Sequence, residues 1–332
     1  MFLRVYCPET GQDEPAALSV AAVVEQYLAV MDARTRAGQL SPKAVESARL
    51  YCRSFAQDHP LQVSQCRQPD LMAWLALHPS WDSPHTQHNA CGYVVRAFLW
   101  AVDAGLIGRT PYRKPKDLPA CEPRAAASAS EIRRILNAAR GTGYGVTCVR
   151  FRLALWFLWE TGCRPDEMYR LTWDMYDPEA GTFTQRSKTT RKTGRKRVIV
   201  LSRRAWRLVR VLRNACVTAA GAVLDCAKPV KPLGAGDAPG YAHVFRNARG
   251  RRWSSKQFNL HFRTHSAAAG CNPEISAYST RHGFCSRALE AGCGERQVAD
   301  LMGHSSTRLV EWYSRSLRSK VDYLRATAER VR

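Results

Sequence analysis

No two of the twelve cysteines stand as a CxxC pair. Zinc-ligand spacing is therefore absent, and no metal is expected. The thiols read as reduced, small apolar side chains. No run of about 20 apolar residues occurs, so no membrane-spanning helix is expected. The opening stretch, MFLRVYCPETGQDEP, has neither a sustained apolar segment nor a small-residue cleavage site. It is not expected to act as a signal peptide, and a cytoplasmic protein is the expectation. Acidic residues are also scarce. Twenty-eight Asp and Glu face 50 Lys and Arg, a net charge of +22. Such an excess implies a polyanionic partner. With no long basic amphipathic helix, nucleic acid fits better than an anionic membrane.

What the chain does have is enough apolar residue for two cores: 332 residues, 45% hydrophobic. Residues 1–18 read as irregular. From Ser19, Val23, Val24, Tyr27, Leu28 and Met31 recur at helical spacing. A Ser-Pro start at Ser41 and Pro42 marks a second helix, and QPDLMAWLALHPSW and SPHTQHNACGYVVRAFLWAVDAG suggest two more. Residues 19–110 thus form an all-helical domain. Residues 111–127, rich in proline, basic and small residues, read as a linker. Residues 128–332 form a second, mixed domain, with Ser130 as the N-cap of its first helix. CVRFRLALWFLWE is apolar enough all round to be a buried helix. GTFTQRSKTTRKTGRKRVIVLS reads as two strands around a basic turn. The expected fold class is mainly α with a small antiparallel sheet, α+β in the second domain.

Four stretches carry candidate chemistry. In ETGCRPDEMYRLTW, Gly162 ends the buried helix and Pro165 suits the first position of the next. Arg164 then stands at a helix start with a fork suited to phosphate, and Glu167 lies one turn on, placed to buttress a neighbour. The alternative for Arg164 is a surface ion pair. The turn RSKTTRKTGRKR holds seven Lys or Arg in twelve residues, including Lys188, Arg191, Lys192, Arg195, Lys196 and Arg197. These form either a solvated clamp on DNA phosphates or, through Lys192 or its rival Lys188, a general acid. In AYSTRHGFCSRALEAGCG, Arg281 and His282 precede a helix with Phe284, Ala288 and Leu289 on its apolar face. A second arginine beside a phosphate would stabilise the spread charge of a phosphoryl-transfer transition state. The alternative for Arg281 is a salt bridge, and His282 by itself reads rather as a hydrogen-bonded core histidine. Last, LMGHSSTRLVEWYSR places His304 in a turn and Tyr313 nine residues later. Tyr313 is either core packing beside Leu309 or a nucleophile that four nearby cations would activate.

These pieces, in this order over roughly residues 128–318, resemble the tyrosine recombinase (phage integrase) family. Its TG-x-R-x-x-E motif falls on Thr161, Gly162, Arg164 and Glu167. Its hairpin lysine falls on Lys192, its His-x-x-Arg-His box on Tyr278, Arg281 and His282, and its Leu-Gly-His box on His304. Residues 19–108 are similar to the family's core-binding domain. With about 18 residues before the first helix, a separate arm-binding domain is not expected.

The resemblance implies a site-specific DNA recombinase. Tyr313 attacks the scissile phosphate to form a 3′-phosphotyrosyl link. Arg164 and Arg281 hold the non-bridging oxygens, Lys192 protonates the leaving 5′ oxygen, and His304 hydrogen-bonds the phosphate. Glu167 and His282 support the site. It implies no cofactor, a double-stranded DNA partner, two domains closing on the duplex, and a homo-tetramer on DNA docked through the C-terminal tail. One position departs. Tyr278 stands where the family has histidine, and a phenol is a poor proton acceptor at neutral pH. Two other readings of the same residues are a helix-turn-helix regulator built on Val298, Ala299 and the Gly303 turn, and a type IB topoisomerase.

Overall fold

The computed structural model describes residues 4–6, 13–15, 18–121, 125–141, 145–186, 196–218, 243–304, 306–307 and 310. The chain divides into two compact units, Met1–Glu122 and Pro123–Arg332.

The first unit is built on four helices: α1 (Val20–Arg36), α2 (Pro42–Asp58), α3 (Asp70–Ala76) and α4 (Pro84–Asp103). Their starts are chemical. The Ser19 side chain accepts the Ala22 N–H at 3.1 Å, and Ser83 accepts the Thr86 N–H at 3.2 Å ahead of Pro84. These caps satisfy amides that have no intrahelical partner. The helices bury Val20, Val24, Leu28, Phe55, Trp74, Val94 and Phe98 in one core. Two expectations are corrected here. The segment before Ser19 is not wholly irregular: β1 (Arg4–Tyr6) pairs antiparallel with β2 (Asp13–Pro15). Three-residue strands are too short to show an alternating pattern. The linker also begins later than its composition suggests. Tyr112 is buried edge-on against Phe55 and Phe98, its hydroxyl donating to Asp70 at 3.2 Å, and Leu118 joins the same core. One aromatic anchor outweighs the proline content around it.

In the second unit, α5 (Ala129–Gly141) starts two residues earlier than expected. Its cap is Ser128, not Ser130. The Ser128 hydroxyl accepts the Glu131 N–H at 3.2 Å, and Glu131 accepts the Ser128 N–H at 2.8 Å. That reciprocal pair is a capping box. α6 (Gly145–Thr161) runs through the middle, with Phe151, Leu155, Phe157 and Leu158 buried on different sides. A helix enclosed on all sides needs no polar stripe, so its pattern shows little amphipathicity. The short α7 (Pro165–Tyr169) leads to a three-stranded antiparallel sheet in the order β3 (Tyr176–Asp177), β4 (Thr182–Gln185), β5 (Arg197–Val200). Phe183 and Ile199 pair across β4 and β5 and point into the core. Among the described residues the remaining helices are α8 (Arg203–Thr218), α9 (Ser255–Ala268), α10 (Ser279–Glu290) and α11 (Glu295–Met302). Arg281 and His282 lie inside the first turn of α10 rather than ahead of it. A third cluster, Cys285, Leu289, Val298, Ala299, Met302 and Val310, holds α10, α11 and the start of the segment beyond them together. Among the described residues no helix is long and apolar enough to cross a membrane.

Candidate active site

The site is assembled from two turns and the start of a helix. At the first turn α6 ends at Thr161, whose hydroxyl bonds back to the Phe157 carbonyl at 2.8 Å. Gly162 follows in the left-handed region, φ +61°. A Cβ there would also lie 2.4 Å from the Phe284 ring. Glycine is thus required twice, for backbone and for space. The reversal delivers Arg164 as the N-cap of α7, in extended conformation. Glu167, one turn along, accepts the Arg164 N–H at 3.0 Å through Oε2 and the Arg164 guanidinium at 2.8 Å through Oε1. Its carboxylate is almost fully buried. Burial alone would raise its pKa, but Arg197, Arg164 and the backbone N–H outweigh this and hold it below the ordinary value. Burial likewise opposes the charge on Arg164, and Glu167, aided by the Tyr278 hydroxyl, more than offsets it.

At the second turn, α11 closes on Gly303 at φ +66°, with the His304 N–H bonded to the Ala299 carbonyl at 2.8 Å. This Schellman-type close fixes where His304 points. Arg281, from α10, joins the two turns. Its Nη1 donates to the Gly162 carbonyl at 2.8 Å. Its Nη2 donates to the Met302 carbonyl at 2.6 Å and faces His304 Nε2 at 2.8 Å. Only 1% of Arg281 is exposed. Burial first, then the neighbouring Arg164, pulls its pKa down to about 10, still well above neutral pH.

The same surroundings settle the state of His304. Burial, then Arg281, Arg164 and Arg197, push its pKa down to about 4, so the ring is neutral at neutral pH. A guanidinium can only donate, so Nε2 must accept from Arg281 and the ring proton sits on Nδ1. Nδ1 has no hydrogen-bond partner among the described residues. His304 is therefore a hydrogen-bond donor beside two arginines. The arrangement can hold a tetrahedral oxyanion by charge and by a directed N–H, without a change in its own protonation.

Arg164, Glu167, Tyr278, Arg281, His282 and His304 are thus gathered around two turns. Tyr278 caps α10 with its ring 5.1 Å from His282. Lys188, Arg191, Lys192, Arg195 and Tyr313 lie outside the described residues. The nearest described residue before Tyr313, Val310, is fully buried against α10 and α11. Lys196 is exposed. Arg197 departs from expectation. Grouped by sequence with the DNA-contacting cations of the turn, it is 6% exposed, with its guanidinium turned inward to Glu167 and the Leu301 carbonyl. A run of basic residues does not say which member lies on the inward face of a strand. The alternation did carry the signal: Arg197 and Ile199 share the buried face of β5, and Val198 and Val200 the open one. Gln185, the buried cross-strand partner of Arg197, was missed for the same reason.

The model of the Phage integrase family matches residues 127–320. The chain belongs to this family, the tyrosine recombinases. It is 29% identical to tyrosine recombinase XerD of Mycobacterium tuberculosis over 186 residues, 55% of this chain and 54% of that one. The match thus spans about half of that relative. Tyrosine recombinase XerC of Mycobacterium bovis is 26% identical over 287 residues, 84% of this chain and 87% of the relative. The fold is shared with the integrase of transposon Tn1549, solved with transposon right end DNA. The TM-score is 0.70 and the identity 18%, covering 93% of this chain and 98% of that one.

Proposed function

We propose that this protein is a site-specific DNA recombinase that cleaves and rejoins duplex DNA through Tyr313. The observation that carries the reading is the cluster of Arg164, Arg281 and neutral His304 around Glu167, inside the stretch matched by the family. Two permanent cations and a directed N–H suit a phosphodiester whose charge spreads over its non-bridging oxygens. In the reaction Tyr313 gives its proton to solvent as its oxygen bonds to phosphorus. The bond from phosphorus to the 5′ oxygen breaks, and that oxygen takes a proton from Lys192 or Lys188. The energy of the broken ester is kept in the phosphotyrosyl link. A 5′-hydroxyl of a second strand then attacks in reverse. Tyr278 donates a hydrogen bond beside Arg164 in place of an imidazole. His282 orients Tyr278, and Lys196 and the other cations of the turn bind the DNA backbone. The helix-prone tail beyond Tyr313 docks on a neighbouring copy in a tetramer spanning two DNA sites, and the protein acts in the cell interior, on nucleoid DNA.

The test is a nicked suicide substrate drawn from sequences flanking the encoding gene, incubated without metal beside Tyr313→Phe. A covalent protein–DNA adduct is expected for the wild type and none for the variant. Specific binding with no adduct would instead favour the helix-turn-helix regulator. Relaxation of supercoils without joined products from two sites would favour a topoisomerase.

A further inference from the structure

Arg197 opens β5 directly opposite Gln185, the last residue of β4, so the two close the base of the basic hairpin. Both are buried, and both reach Glu167. Gln185 Nε2 donates to the Glu167 main-chain carbonyl at 3.4 Å, and Arg197 Nε lies 3.6 Å from Glu167 Oε2. The far side of the same guanidinium faces the other turn. Nη2 donates to the Leu301 carbonyl at 2.7 Å, three residues before His304, and Nη1 donates to the Val198 carbonyl. Gly303 lies flat on the side chain. A Cβ there would come within 2.7 Å of Arg197 Cδ and 2.8 Å of its Nε.

One side chain therefore touches the Arg164 turn through Glu167, the base of the hairpin that carries Lys188 and Lys192, and the turn that carries His304. Burying a third cation beside Arg164 and Arg281 is an expensive way to gain stability, since an apolar residue of similar volume generally does as well. A planar fork that donates in several directions is the one thing an apolar residue cannot supply.

We propose that Arg197 is a positioning residue: it fastens Glu167, the hairpin base and the His304 turn into one geometry and does not itself touch DNA. This rests on the recombinase reading for its effect on cleavage, but not for its effect on His304. Among the described residues, the charged groups facing His304 are Arg281 of α10, Arg164 and Glu167 at the start of α7, and Arg197 of β5. Removing the Arg197 charge deletes one of the three cations among the described residues that keep the ring neutral.

The experiment compares full-length wild type, Arg197→Met and Arg197→Lys. Three quantities are measured: DNA affinity, the single-turnover rate of adduct formation on the nicked substrate, and the titration of the His304 imidazole by NMR in the free protein. Arg197→Met is expected to cut the adduct rate by roughly 100-fold, the scale of a misplacement of about 1 Å at a reacting centre. Affinity should change by less than about threefold, since no phosphate contact is lost. His304 should titrate at higher pH than in the wild type. Arg197→Lys keeps the charge but not the fork. It should restore the His304 titration and leave the rate well below wild type. Weakened DNA binding with an unchanged rate in the bound complex would make Arg197 a DNA contact and overturn the proposal. So would an unchanged rate and an unchanged His304 titration. If the wild type forms no adduct, the recombinase reading fails, and the His304 titration alone decides for or against Arg197. If Arg197→Met does not fold, the rate in Arg197→Lys decides.

Discussion

His304 shows how a single residue takes its role from its neighbours. Free imidazole is half protonated near pH 6.5, yet three arginines and burial hold this ring neutral down to about pH 4. The sign of the consequence follows from proton linkage. Between about pH 4 and 6.5 the unfolded chain binds a proton at this position and the folded chain does not, so stability falls as pH falls through that window. His261 and His265, also held down by burial, act in the same direction. Glu167, whose pKa is lowered, contributes stability above the ordinary carboxylate pKa that is lost only as pH falls further, through its depressed value. Urea midpoints at pH 5 and pH 7 should therefore differ less in His304→Gln than in the wild type. Equal pH dependence in the two proteins would mean that the ring is not held neutral. Above pH 7 none of these groups should tilt stability.

At the scale of elements, the site depends on where helices stop. α6 must end at Thr161 for Arg164 to face Arg281, and α11 must end at Met302 for His304 to do the same. Each stop is a glycine with positive φ that is also pressed against another element: Gly162 against Phe284 of α10, and Gly303 against Arg197 of β5. Gly162→Ala should cost about 2–4 kcal/mol, adding left-handed strain to overpacking. Urea unfolding measures this, and a loss below about 1 kcal/mol would show that the turn adapts freely. The same turn supplies the Gly162 carbonyl that Arg281 binds, so the adduct rate in this variant should drop at temperatures where the protein is still folded.

For the whole molecule the dominant fact is charge. Fifty basic residues against 28 acidic ones leave +22, and the site cations account for few of them. Under the proposed function, most of the excess is available for the DNA backbone. Each phosphate neutralised releases counterions, so affinity should fall steeply with salt. With six or more phosphate contacts, the loss between 50 and 200 mM salt is about 1000-fold or more. Fluorescence anisotropy on a labelled duplex would read the slope. A flat dependence would contradict an electrostatic grip on DNA. The charge also explains why acids such as Glu167 matter beyond their number: buried among arginines, one carboxylate offsets repulsion that would otherwise open the site.

The amino-acid order by itself determined the pieces. Helical spacing from Val23 to Met31, Ser-Pro at the start of α2, TG ahead of Arg164, and Gly303 ahead of His304 are local signals, and local backbone chemistry is enough to read them. The order of the four motifs also pointed to the family. What it left open was settled only when distant segments met. Tyr112 leaves a proline-rich stretch for the core because Phe55 and Phe98 leave room for a ring. The cap of α5 is the exception: Ser128 and Glu131 are only three residues apart, so that box was a local signal read two residues too late. The inward turn of Arg197 depends on Glu167, 30 residues earlier, and on Leu301, 104 residues later. No local pattern encodes such a meeting. A charge in a basic run looks like surface until the fold brings a buried carboxylate and an unpaired carbonyl to either side of it.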